Sequence, residues 1–133
     1  MLTKLGWPTL LLASCAKAVE PSALPQLLSE TGLYAEVAGK RVAADVVAFE
    51  PQYPLWSDGA TKRRWIRLPE GGAVDAHDPD DWRFPVGTRL WKEFSLGRRV
   101  ETRYMEKLAD GGWRRLVFVW DADESDARLA PEA

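Results

Sequence analysis

From Thr88 onward apolar and polar residues alternate with a period of two, a pattern that fits strands and little else. Thr88 to Leu96 carries Leu90, Phe94 and Leu96 on one face and Trp91 on the other. Gly97-Arg98 turns the chain, and Val100 to Leu108 follows with Val100, Thr102, Tyr104 and Leu108 at period two. Asp110-Gly111-Gly112 is hairpin chemistry, because glycine enters left-handed backbone conformations without steric cost. Trp113 to Trp120 then sets Leu116, Phe118 and Trp120 against Val117 and Val119. Thr61 to Leu68 alternates in the same way, with Ile66 and Leu68 opposite Trp65, and Ala127 to Ala130 suits a last short strand. The expected fold is mainly β: an antiparallel β-sandwich of about five to seven strands.

The stretch before this meander is less regular. Ser22 to Gly32 is read as one short N-terminal helix: Ser22 caps, Pro25 suits the first turn, Leu24, Leu27 and Leu28 share a face, and Gly32 stops it. Val42 to Phe49 reads as a strand or an extended cover. Pro51 and Pro54 then block regular structure, and Ser57-Asp58-Gly59 is a turn. Two acidic stretches, 73–81 and 121–126, read as solvated loops. The whole of 23–133 is read as a single β-sandwich domain.

Residues 1–14 have the form of an export signal, with Lys4 ahead of an apolar run too short to span a bilayer. Leu12-Ala13-Ser14-Cys15 resembles the bacterial lipobox, in which small residues precede a cysteine that is diacylated and becomes the mature N-terminus. On that reading Cys15 is the lipidation site and 15–22 is a tether. Ala16 after the cysteine then favours a periplasm-facing protein on the outer membrane, held by more than one acyl chain. Ordinary cleavage after Ala16-Lys17-Ala18 is the competing reading and would release a soluble protein. An uncleaved start with a buried thiol is the third.

The chain offers little for catalysis or metal binding. Its 133 residues hold one Cys and one His, so a cysteine-based zinc cluster, an intrachain disulfide and a C-x-x-C-H haem attachment are all excluded from it. With 18 basic and 20 acidic residues, no overall field favours nucleic acid. His77 sits in an acidic loop with no nucleophile motif beside it. Asp58 with Glu101 could be proposed as a glycosidase pair, but no spacing singles them out from the other acids. The aspartates of 75–81, or Asp121, Asp123 and Ser125, suit at most a weak calcium site, since the latter run lacks the glycine of an EF-hand loop. No catalytic, cofactor or metal residues are assigned. Seven tryptophans leave open a sugar-binding face built on exposed rings such as Trp56, Trp65 or Trp91.

One stretch gathers the remaining features. Pro51 to Leu68 reads PQYPLWSDGATKRRWIRL, with Trp56 and Trp65 flanking the turn. Its candidate interaction residues are Trp56, Asp58, Lys62, Arg63, Arg64 and Trp65. Asp58 is read first as a turn residue, and Lys62 to Arg64 as a modest basic edge for a partner.

Five segments together resemble one family: 27–34, 53–71, 80–96, 98–107 and 113–129, with W-S-D-G and F-P-V-G-T the most specific parts. They are similar to the accessory domain found upstream of the haem-binding part in exported diheme c-type cytochromes. The resemblance implies a mainly β accessory domain of an electron-transfer system, and it brings no assigned catalytic residues. In such proteins a C-x-x-C-H segment follows this domain. None occurs in these 133 residues, so haem is expected only on a partner polypeptide, a c-type cytochrome or related redox protein. The expectation is a non-catalytic cell-envelope lipoprotein domain with that partner. The alternative is a carbohydrate- or cell-wall-binding module using exposed Trp.

Overall fold

A computed structural model describes residues 23–131. After a single 3-10 turn (Leu28–Thr31) come eight strands. They are β1 (Tyr34–Glu36), β2 (Arg41–Val42), β3 (Val47–Ala48), β4 (Thr61–Arg67), β5 (Arg89–Leu96), β6 (Arg98–Lys107), β7 (Trp113–Trp120) and β8 (Ala127–Leu129). All pairing is antiparallel: β1 and β2 form a two-stranded sheet, and β3 to β8 form a six-stranded sheet in sequence order. The mainly β expectation is met, and β5, β6 and β7 are the meander read from the alternation. Among the described residues no helix is long and apolar enough to cross a membrane.

The turns follow their chemistry. Gly97 and Gly111 both take positive φ, 71° and 86°. Asp110 Oδ1 accepts the Gly112 N–H at 2.8 Å, which closes the β6–β7 turn. The helix expected over Ser22–Gly32 is instead one 3-10 turn, and Ser22 lies outside the described residues. Its apolar spacing is overridden by a distant strand. Leu129 N–H donates to the Gln26 carbonyl at 2.9 Å and Leu27 bridges Arg128, so the segment is held extended along the edge of β8. Gly32, at φ 83°, then ends the turn.

One face of the large sheet is the core. The register aligns Trp65, Trp91, Tyr104 and Leu116 across β4 to β7, with Thr102 and Phe118 in the next row. Trp91, Phe118 and Tyr104 are fully buried, and Leu28, Leu33, Tyr34 and Val46 cover them from the preceding segment. Each such side chain contributes roughly 1.5–3 kcal/mol through burial. The indole N–H groups are satisfied inside: Trp91 donates to Thr31 Oγ1 at 2.9 Å and Trp120 to Thr102 Oγ1 at 3.0 Å. Among the described residues no buried side-chain polar atom lacks a partner.

A bulge shapes one corner. Phe94 pairs with Glu101 but Ser95 pairs with Arg99, so Val100 is an extra residue in β6. Simple alternation from Thr102 would send Arg99 to the opposite face. The bulge re-aims it toward the core side, where its Nε meets the buried Glu93 carboxylate at 3.0 Å.

Candidate functional site

Among the described residues the other face of the large sheet has no buried side chain, and it is the candidate site. Successive residues of a strand point to opposite faces, so Lys62, Arg64 and Ile66 lie on this side while Arg63, Trp65 and Arg67 lie on the core side. Register then fixes the rows. Arg64, Lys92 and Arg103 stand directly opposite one another on β4, β5 and β6. The flanking rows are Lys62, Phe94, Glu101 and Val119, and Ile66, Leu90, Met105 and Arg115.

This arrangement leaves positive charge uncompensated. Among the described residues Lys62, Arg64 and Lys92 make no ion pair, and the carboxylate of Glu101 is taken up by Arg103 at 2.7 Å. Burial pushes the Lys92 ammonium below its ordinary pKa, and Arg64, Lys62 and Arg103 lower it further. Lys92 Nζ and Arg103 Cζ sit 4.9 and 4.8 Å from the centre of the Phe94 ring, so the ring lies between two cations. Such contacts are attractive because the ring face carries negative charge density.

The loop of Pro51 to Ser57 borders this face. Lys62 Nζ donates to the Leu55 carbonyl, tying loop to strand. Tyr53, Leu55 and Trp56 stand 81%, 82% and 84% exposed, which is unusual for three large apolar groups so close in sequence. A groove of about 320 Å³ between loop and strand is lined by Pro54, Leu55, Lys62 and Arg64. A second, of about 470 Å³, runs past Phe49, Arg63, Arg64 and Trp65. Arg64 and Glu50 line both.

The six residues singled out in the sequence divide. Trp56, Lys62 and Arg64 are brought together at the loop edge of the open face. Trp65, 6% exposed, is a core residue and is lost to the surface. Arg63 points to the core side, opposite Glu93. Asp58 is exposed at the tip of its turn, with φ 50° followed by 78° at Gly59, and Ala60 N–H closes the turn onto the Ser57 carbonyl at 2.8 Å. It pairs with neither Arg63 nor Arg64. Trp91, offered as a possible sugar-stacking ring, is 1% exposed. His77 lies exposed in the 73–81 loop, and Cys15 lies outside the described residues. Among the described residues no cluster of metal-ligating side chains occurs.

Two groups escaped sequence reasoning. Lys92 completes the cationic row between Arg64 and Arg103, and only the hairpin registers reveal it. On the core side, Glu93 is 2% exposed and accepts hydrogen bonds from Tyr34 Oη and Arg99 Nε, each at 3.0 Å. Arg99 also binds Glu124 through its backbone N–H and its guanidinium. That network is satisfied internally and ties β1, β5, β6 and the β7–β8 turn together.

Comparison with family models, characterised proteins and solved structures finds no match for this chain.

Proposed function

We propose that this chain is a non-catalytic accessory domain of the cell envelope that docks to a c-type cytochrome or related redox partner. One observation carries the reading. An exposed apolar loop adjoins a cationic row, in which Arg64 and Lys92 make no ion pair among the described residues, on the sheet face that carries no buried side chain among those residues. Interfaces concentrate their energy in exposed aromatic anchors ringed by polar and charged groups. The segment resemblance supplies the class of partner, and haem belongs to that partner. The lipobox-like Cys15 supplies the location: a lipoprotein facing the periplasm, with the outer membrane favoured. The fold itself is proposed as a small sandwich whose second layer is the β1–β2 hairpin and the 3-10 turn. The edge-on packing of Tyr34 against Trp120, with centroids 6.3 Å apart, supports that layer.

The test is affinity capture of the tagged lipoprotein from a solubilised envelope. A co-purifying haem spectrum, with C-x-x-C-H peptides identified by mass spectrometry, is the expected result. Repeated capture without any haem protein contradicts the reading.

A carbohydrate- or cell-wall-binding module is the second reading, favoured by the exposure of Trp56 and Trp82. Glycan-array binding abolished by Trp56→Ala would establish it in place of the first.

A further inference from the structure

We propose that the open face of the six-stranded sheet, rimmed by Tyr53, Leu55 and Trp56, is the docking surface for a protein whose contact face is acidic around an aromatic or apolar centre. This rests on the docking reading above and names its surface and the chemistry of its partner.

The register is the first argument. Like charges directly opposite one another destabilise a sheet, yet Arg64, Lys92 and Arg103 occupy one row on three adjacent strands. Acidic residues are not scarce in this protein, with 20 against 18 basic. Eight of them fall in the 73–81 and 121–126 stretches, and in the three rows of the open face Glu101 is the one acid, already paired with Arg103. An acidic partner neutralises the row and removes the repulsion, so binding gains what folding loses. Arg64 and Lys92, free of ion pairs among the described residues, need not break an ion pair first.

The second argument is the apolar content of the same face. Phe94 is in contact with both Lys92 and Arg103, Val117 and Val119 stand on β7 of the same face, and Ile66, Leu90 and Met105 form the row on the other side of the cations. A purely electrostatic site for a small anion would not need this breadth. Pro51 and Pro54 stiffen the adjoining loop, so little freedom is lost when Trp56 is immobilised.

The experiment uses the full chain and four defined probes: a random Glu–Tyr copolymer, poly-L-glutamate, phosphatidylglycerol vesicles, and the chain itself. Wild type should bind the copolymer more tightly than poly-L-glutamate, and less tightly as salt rises. The double variant Lys92→Glu/Arg103→Glu should lose about tenfold or more in affinity, although it sets two carboxylates opposite one another beside Glu101. Trp56→Ala should erase the preference for the copolymer. Lys92→Gln/Arg103→Gln serves as a milder pair should charge reversal disturb folding. Unchanged copolymer binding by a folded double variant overturns the proposal. So does vesicle binding without copolymer binding, which would make the face a membrane surface. Self-association abolished by the double variant would assign the face to a second copy and overturn it likewise. If the copolymer results hold but envelope capture yields no haem protein, the cytochrome reading fails and the docking surface stands. If a haem partner is captured equally by wild type and double variant, the cytochrome reading stands and this docking surface fails.

Discussion

Glu93 anchors a buried network on which the folded state depends. Its carboxylate is buried, and it is the acceptor for both Tyr34 and Arg99. Removing it strands a phenol and part of a guanidinium, and breaking a buried charge pair costs about 3–5 kcal/mol. Arg99 keeps Glu124, so Glu93→Ala should fall near the lower end, about 3 kcal/mol, readable by urea unfolding. Tyr104 contributes part of the alkaline pH response. Burial pushes its phenol up to about 12, against the opposing pull of Arg89. An unfolded tyrosine ionises near pH 10. The unfolded chain thus releases this proton first, and stability that is complete below about pH 10 is lost as pH rises through about 12. Tm measured across that alkaline window should fall, and Tyr104→Phe should lessen the fall without abolishing it, since burial and Glu93 push the Tyr34 phenol up as well.

At the scale of elements, the 57–60 turn decides between two roles for Asp58. Its φ of 50° is left-handed, and Gly59 follows at 78°. Asp58→Gly should leave stability near wild type while Asp58→Ala lowers it by about 1 kcal/mol, because alanine keeps the Cβ but loses the short polar side chain that eases aspartate into left-handed backbone. A ligand-contact role would instead make both variants lose partner binding equally with stability unchanged. The elements also show what could be read in advance. The β6–β7 hairpin was legible because Asp110-Gly111-Gly112 carries its own geometry and the flanking residues alternate. The helix expected over Ser22–Gly32 failed because Gln26 and Leu27 are held by β8, at the other end of the chain and invisible to local spacing. The choice of core face was equally hidden. Both faces of β5 are apolar in part, and only packing shows that Trp91 is inside and Phe94 outside. The bulge at Val100, which sends Arg99 to Glu93, leaves no mark in the alternation.

For the molecule as a whole, the distribution of charge matters more than its sum. A formal net charge of −2 excludes nothing about a local surface. The sequence marked Lys62 to Arg64 as a modest basic edge. Folding splits that triplet, directs Arg63 to the core side, and joins Lys62 and Arg64 to Lys92 and Arg103 from two other strands. Half of the candidate site was therefore legible, and the rest depended on register. Lysine reactivity tests this account most directly. Lys92 is held below its ordinary pKa by burial and by Arg64, Lys62 and Arg103, so more of it is an uncharged nucleophile at mildly alkaline pH. Trace acetylation of the full chain, quantified by mass spectrometry, should label Lys92 faster than Lys107 in the free protein. Saturating Glu–Tyr copolymer should suppress labelling of Lys62 and Lys92 and leave Lys107 unchanged. Equal labelling of Lys92 and Lys107, with no protection by the copolymer, would contradict the account.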